Sequence, residues 1–362
     1  MTDKIRVAVL YGGISAEHEV SVVSARCVLE AIDRDKYEVL PIAITKQGTW
    51  LLPAHTPDEL TIEEGTLPGV GESDGEQVAL QRVGSQTTIQ PVERTMSIGA
   101  VDVVFPVLHG PGGEDGTVQG MLETLGVPYV GAGVAASAVG MDKSLQKPVF
   151  ASAGIPVTRW VTIRQPQFLG EPQLVAHSMA EGLGLPCFTK PAALGSSVGV
   201  SKCRSEEEIA QGLRDAFERG PAAIVEEAIE GRELECAVLG NEDPEASVVG
   251  EIVPANEFYD YEAKYLIEGS SLIIPADVGE QRSERIRRYA LDAFRAIGCE
   301  GMARVDFFLR GDDEILLNEI NTIPGFTPIS MYPKLWEASG IPYAKLIDRL
   351  LELALERHGR RA

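Results

Sequence analysis

The sequence lacks a C-x-x-C pair, and its five cysteines, Cys27, Cys187, Cys203, Cys236 and Cys299, are scattered. Zinc ribbons and redox dithiols are therefore not expected. An odd, dispersed count suits a reducing compartment, and the thiols read as small core residues. Long apolar runs are also missing: no window approaches the ~18 residues of a membrane span. The first residues, Met1 to Arg6, run straight into a strand pattern without a basic n-region, apolar h-region and cleavage site. A cytoplasmic protein is expected. Basic residues are few, 32 Lys and Arg against 54 Asp and Glu, for a formal net charge of -22. Such a chain repels phosphate backbones and anionic lipid, so nucleic acid and membrane are not expected partners. No G-x-x-x-x-G-K-[ST] loop, internal repeat or low-complexity tract occurs.

What is present is a chain of 362 residues, too long for one ordinary core and enough for two or three domains. Its 44% hydrophobic and 24% charged residues fit a globular protein. Ile5 to Tyr11 reads as a buried strand ending at Gly12-Gly13, and Ser15 to Ile32 as a helix with Glu17 and Glu19 in its first turn. Tyr37 to Ile44 and Val101 to Leu108 read as further strands, giving a mostly parallel sheet up to Gly140. Leu52 to Arg94, rich in Gly, Pro, Glu, Gln and Thr, reads as a hairpin-rich insertion.

A second unit spans 141–230, with strands at Phe188–Lys190, Val198–Lys202 and Ala223–Glu227 and a helix from Ser205 to Arg219. A third spans 231–362. It carries strands at Glu233–Leu239 and Ala246–Val253, a loop from Pro254 to Pro275, a helix from Gln281 to Ile297, a hairpin, and a terminal helix from Tyr343 to Glu356.

The hairpin carries the clearest chemistry. Arg304 to Arg310 alternates like a strand, Gly311 to Glu314 is turn chemistry, and Ile315 to Asn321 returns. A turn centred on Asp312-Asp313 sets Arg310 opposite Ile315, Phe308 opposite Leu317, Asp306 opposite Glu319 and Arg304 opposite Asn321. Side chains repeat every second residue, so these eight are expected on one face. Opposed carboxylates repel, and a cation between them removes the penalty. Asp306, Glu319 and Asn321 offer only oxygen, which favours Mg2+ over zinc and leaves room for nucleotide phosphates. The competing reading is a solvated charged face; Phe308 and Leu317 beside the acids argue against it.

Lys190-Pro191-Ala192-Ala193-Leu194-Gly195-Ser196-Ser197-Val198-Gly199-Val200 sets a lysine at a strand end before a small-residue loop. Such backbone approaches an anion closely, and lysine adds a point charge. The competing reading is a tight hairpin between strands. Gly195-Ser196-Ser197-Val198-Gly199 also matches the hydrolase elbow G-x-S-x-G, but that fold needs a helix after the serine and a later histidine. Here a strand pattern follows, and the only later histidine is His358 in the tail. Gly131-Ala132-Gly133-Val134-Ala135-Ala136 resembles a dinucleotide fingerprint but lacks the acidic residue ~20 positions on. His109 to Thr117 is a four-glycine loop at a strand's C-terminal end, where open α/β sheets bind ligands. Tyr259 to Tyr265 is an aromatic, charged loop suited to a lid carrying a cation.

In this order, these segments resemble the D-alanine–D-alanine ligase family. The resemblance is carried by Gly12 to Ser21, His109 to Gly120, Met141-Asp142-Lys143, Lys190 to Val200, Phe258 to Tyr265, Arg304-Val305-Asp306 and Asn318 to Gly325. It spans nearly the whole chain apart from Leu52–Arg94 and the tail. Ala192-Ala193-Leu194 departs from it, being more apolar than expected, so side-chain contacts to phosphate are not carried over there. The resemblance implies an α/β fold with α+β character: an N-terminal open parallel α/β domain over 1–140, then a two-part ATP-grasp fold over 141–230 and 231–362, with a lid loop at 255–275. It implies that ATP phosphorylates the carboxylate of one D-alanine and that the amine of a second displaces phosphate.

By the same resemblance, Lys143 and Lys190 hold the nucleotide phosphates and Lys264 approaches the γ-phosphate. Asp306, Glu319 and Asn321 bind two Mg2+ ions, with Mn2+ as an alternative. Arg304 and the Gly325 N–H stabilise the oxyanion. Glu17 pairs with the first ammonium, His109 lies near that substrate, and Ser330 with Met331 meets the second D-alanine. Glu226 and Glu233 meet the adenine and ribose, with Glu227, Ile229 and Asn318 also at the nucleotide; solvated strand-end acids are the alternative for Glu226 and Glu233. Ser196 and Tyr265 bond to Glu17 and close the lid. Members that make the ester D-alanyl-D-lactate typically lack tyrosine at the lid position, so Tyr265 implies an amine acceptor. The resemblance also implies a homodimer. Two rivals stay open: another ATP-grasp ligase, such as a glutathione or peptide ligase, and a non-catalytic nucleotide-binding regulator.

Overall fold

The apolar run Ile5–Gly12 forms β1, buried over its last six residues. Helix α1 (His18–Ala31) leads to β2 (Tyr37–Ile44), which lies parallel to β1. Then follow β3 (Trp50–Pro53), β4 (Gly75–Val83), β5 (Gln86–Pro91), β6 (Gly99–Val101) and β7 (Val103–Pro106). They make one sheet of order β6-β5-β4-β3-β2-β1-β7. Only the β2-β1-β7 part is parallel; β3 to β6 are antiparallel, which corrects the expected mostly parallel sheet. The few residues between Ile44 and Trp50 are too short for a crossover, so the chain must return antiparallel. The described part of Leu52–Arg94 is therefore a continuation of this sheet. This computed structural model describes residues 4–55, 67–93, 97–253, 271–327 and 329–361.

Helices α2 (Thr117–Leu125), α3 (Val134–Met141) and α4 (Lys143–Ser152) lead to the second sheet. It is built from β8 (Trp160–Arg164), α5 (Gln165–Gly170), α6 (Pro172–Leu183), β9 (Cys187–Pro191), β10 (Ser201–Cys203), α7 (Glu206–Phe217) and β11 (Ala222–Glu227). The order is β10-β9-β11-β8, all antiparallel. Ser205 caps α7 by accepting the Glu208 N–H at 3.2 Å, a contact worth about 1 kcal/mol. The strand expected at Val198–Lys202 begins only at Ser201, because Ser196, Ser197 and Gly199 hold φ of 49°, 57° and 74°. Left-handed backbone coils the loop and cannot join a ladder. A strand, not a helix, follows Ser197, which removes the hydrolase-elbow reading. Cys187 and Cys203, distant in sequence, stand opposite each other across β9 and β10 as free thiols.

The third sheet uses β12 (Gly231–Gly240), β13 (Glu245–Val253), β14 (Ser271–Ile273), α8 (Glu280–Ala296), β15 (Gly301–Arg310) and β16 (Glu314–Asn321). Its order is β14-β13-β12-β15-β16. Helix α8 packs one face through Ile286, Ala290 and Phe294. Helices α9 (Met331–Ala338) and α10 (Tyr343–Arg361) follow. Trp336, Leu346 and Leu350 join one core with Val7, Val9 and Tyr11, so the end of the chain packs on the first sheet. Phe105 meets Phe326 edge-on at 5.9 Å within that core.

The β15–β16 register pairs Arg304 with Asn321 and Asp306 with Glu319, as the alternation predicts. Nearer the turn it pairs Phe307 with Leu317, Phe308 with Leu316 and Arg310 with Glu314. The expected pairs of Phe308 with Leu317 and Arg310 with Ile315 are therefore off by one. A bulge at Asn318 absorbs the difference. Leu317 and Ile315 go to the core, and Asn318 joins Glu319 on the polar face.

Candidate active site

Two cavities meet where the three sheets converge. The larger, about 230 Å³, is lined by Lys143, Lys190, Glu226, Glu227, Ile229, Glu233, Asp306 and Asn318 among others. The smaller, about 90 Å³, is lined by Glu17, His109, Glu114, Asn321, Gly325, Ser330 and Met331 among others. Gly195, Ser196, Glu235, Arg304 and Glu319 line both. Every site residue singled out from the sequence lies on one of these walls, except Lys264 and Tyr265, which lie outside the described residues.

Glu17 stands just before α1 and does not cap it. Its N–H donates to Ser15 Oγ at 3.1 Å, and its buried carboxylate accepts the Ser196 hydroxyl from the small-residue loop. A Cβ on Gly110, at φ +73°, would be strained and would stand 2.8 Å from Glu17 Oε2, displacing that carboxylate.

His109 is buried, and its ring is fully engaged. A carbonyl only accepts, so Nδ1 donates to Ile323 O at 3.2 Å, and Nε2 accepts from Ser24 Oγ at 3.1 Å. Burial pushes its pKa down, which suits this neutral tautomer. Glu114 holds the same residue by its other backbone group, accepting Ile323 N–H at 3.2 Å, and also accepts Gly110 N–H at 2.7 Å. Burial, and then nearby Glu17, push its carboxyl up to about 8. Two side chains of the glycine loop thus clamp the segment leading to Gly325. Ser330 Oγ lies 2.7 Å from Thr327 Oγ1 and accepts the Thr327 N–H at 3.0 Å.

Arg304 grips Asp306 with two bonds of 2.8 Å and reaches Glu235 at 3.0 Å. Burial opposes its charge, but Asp306 and Glu235 outweigh it and hold the guanidinium well above its usual range. Asn321 Nδ2 donates to Asp306 Oδ2 at 3.0 Å, and Lys143 Nζ pairs with Glu319 Oε2 at 2.9 Å. The repulsion between Asp306 and Glu319 is thus countered by protein cations. Two carboxylates and an amide form an oxygen-only donor set, suited to Mg2+ or Mn2+. Among the described residues no three His, Cys, Asp or Glu cluster as a metal site.

Lys190 Nζ donates to Glu226 Oε2 at 2.6 Å. Burial works against the ammonium, but Glu226 outweighs it and raises its pKa. Glu226 is 2% exposed, which removes the solvated-acid reading for it. Burial would raise its carboxyl, yet Lys147 and Lys190 hold it far below the usual range. Glu227 accepts from Arg159 Nε at 3.0 Å and Arg310 Nη1 at 3.3 Å. Lys147, Thr158, Glu114 and Glu235 were not singled out from the sequence. Only Glu114, inside the glycine loop, carried a signal; Lys147 reads as an ordinary helical lysine.

Comparisons with known proteins agree along the chain. The family model described as D-ala D-ala ligase N-terminus matches residues 6–132, and D-ala D-ala ligase C-terminus matches 149–352. A D-alanine–D-alanine ligase of Bacillus cytotoxicus is 46% identical over 98% of this chain and 97% of its own. One from Geobacillus thermodenitrificans is 48% identical over 98% and 96%. The solved D-alanine-D-alanine ligase of Coxiella burnetii superposes with a TM-score of 0.85 at 38% identity, covering 99% of this chain and 96% of that one. A D-Ala:D-Ser ligase from Enterococcus faecalis gives 0.83 at 34% identity, covering 97% and 100%.

Proposed function

Because the chain belongs to the D-alanine–D-alanine ligase family, we propose that its two joined cavities hold ATP and two D-alanines around Arg304. The enzyme joins two D-alanines with ATP through an acyl phosphate, for peptidoglycan precursor synthesis. The observation that carries the site assignment is the wall shared by the two cavities: Gly195, Ser196, Glu235, Arg304 and Glu319. A phosphoryl group at that junction is within reach of groups on both sides.

In this reading the larger cavity takes the nucleotide. Lys143 and Lys190 meet its phosphates, and Glu227, Ile229, Glu233 and Asn318 its adenosine end. Glu226, expected at the adenine, has one carboxylate oxygen on Lys147 and Thr158 and the other on Lys190, and acts instead by holding Lys190. Asp306, Glu319 and Asn321 would hold two Mg2+ ions, which neutralise charge on the transferring phosphoryl group when bound. In the smaller cavity Glu17 takes the ammonium of the first D-alanine, leaving its carboxylate toward the junction. The carboxylate oxygen attacks the γ-phosphorus and ADP leaves.

The amine of the second D-alanine, with its carboxylate at Ser330 beside Met331, attacks the acyl carbon. Arg304 and the Gly325 N–H receive the charge on the tetrahedral oxygen. His109 and Glu114 hold Ile323, fixing the approach of that N–H. Phosphate then departs with one oxygen of the first carboxylate. Lys264 at the γ-phosphate and Tyr265 as the mark of an amine acceptor complete the reading. A cytoplasmic homodimer is part of it; no described helix is long and apolar enough to cross a membrane.

Phosphate release from Mg-ATP tests the reading. D-Alanine should drive it with D-alanyl-D-alanine as product, and L-alanine should not. Turnover with a different acid and amine, and none with D-alanine, would overturn it. Preference for D-lactate over D-alanine at neutral pH would overturn the amine-acceptor assignment.

A further inference from the structure

Lys147 on α4 is fully buried, 0% exposed, in a part of the molecule where lysine is rare. Its ammonium meets three acceptors: the Glu226 carboxylate, Thr158 Oγ1 at 2.7 Å and Asn318 O at 3.3 Å. Thr158 spends its own hydroxyl hydrogen on Glu226, so it offers lysine a lone pair. Three acceptors match the three hydrogens of a charged ammonium. Burial holds its pKa below the usual lysine value despite the opposing pull of Glu226; the three acceptors around the nitrogen are what favour the charged form. The other Glu226 oxygen takes Lys190.

We propose that Lys147 is a positioning residue for nucleotide binding: it neutralises Glu226, so that the charge of Lys190 remains available to phosphate. Two lysines and one glutamate sum to one positive charge; Lys190 and Glu226 both line the cavity, and Lys190 is the most exposed of the three, with 14% of its side chain accessible against 2% for Glu226 and 1% for Lys147. Without Lys147, Lys190 and Glu226 form a neutral pair, and an arriving phosphate meets no net charge there. The same ammonium holds the carbonyl of Asn318, the bulged residue of the β15–β16 hairpin. One buried group therefore links the lysine strand β9, through Glu226, to the hairpin carrying Asp306 and Glu319. This inference rests on the proposed placement of nucleotide phosphates at Lys190.

The test is the affinity of the full-length protein for Mg-ADP by calorimetry, with KM for ATP, KM for D-alanine and kcat alongside. Lys190→Ala checks the underlying reading and should weaken ADP at least tenfold. Lys147→Met, similar in length and uncharged, should also weaken ADP and raise KM for ATP at least tenfold, with KM for D-alanine little changed. The double variant Lys147→Met/Glu226→Gln restores the original net charge and should return ADP affinity to within about threefold of wild type. A merely structural lysine would show no such rescue. Wild-type ADP affinity in folded Lys147→Met, or a double variant that binds as weakly as Lys190→Ala, overturns the inference alone. Unchanged affinity in Lys190→Ala overturns the placement of phosphate and the inference with it. Should Lys147→Met not fold, the double variant decides the matter by the same threshold.

Discussion

Ser196 donates its hydroxyl hydrogen to the Glu17 carboxylate, joining two loops that are 179 positions apart in the chain. The contact closes the wall between the cavities and fixes the carboxylate proposed to take the first ammonium. A hydrogen bond to a charged group contributes about 1.5–3 kcal/mol. Ser196→Ala should therefore lower kcat/KM for D-alanine by roughly 10- to 100-fold, measured by phosphate release at saturating ATP. A change below threefold would contradict this role.

Arg304 and Asp306 share a bidentate pair at the junction of the cavities. Lysine keeps the charge but cannot reproduce the planar fork. Arg304→Lys should lower kcat on the order of 100-fold, through loss of oxyanion stabilisation and of Asp306 orientation. Steady-state kinetics with both substrates saturating is the check, and near-normal kcat would count against the assignment.

Glu114 gives a pH dependence whose sign is fixed. Its folded pKa, about 8, lies above the unfolded carboxylate value. Between those values the folded state holds a proton that the unfolded state has released, so stability falls as pH rises and levels off above about 8. Thermal melts from pH 5 to 9 should show this slope, and Glu114→Gln should flatten it. An equal slope in the variant would mean that other groups produce it.

Metal removal should separate activity from folding. Arg304 and Lys143 already counter Asp306 and Glu319 without a metal. EDTA should abolish ATP turnover, restored by Mg2+ or Mn2+, while Tm stays within about 1 °C, less than the shift from 1 kcal/mol in a chain of this length. A large drop in Tm on chelation would mean that the metal is structural.

The hairpin shows how far the sequence could be read. Alternation placed Asp306 opposite Glu319 and Arg304 opposite Asn321, because side-chain period follows from backbone geometry. The turn-side pairs were off by one, and the bulge at Asn318 cancelled that error at the site. Adjacent polar Asn318 and Glu319 after an apolar run are the trace such a bulge leaves in sequence. The hairpin expected within Leu52–Arg94 is present as the antiparallel β4–β5 pair; that it continues the first sheet through β3 and β6 was not legible, because the pairing of short strands is set by tertiary contacts. Lys147 was illegible for another reason: its burial depends on Glu226, Thr158 and Asn318, which tertiary packing alone brings together.

The most direct test of the central claim uses D-alanine carrying ¹⁸O in both carboxylate oxygens. Attack of that carboxylate on the γ-phosphorus predicts one ¹⁸O in each released phosphate, and a D-alanyl-D-alanine retaining three by mass. Phosphate without ¹⁸O, or ADP formed without dipeptide, would contradict the acyl-phosphate ligase assigned to these two cavities.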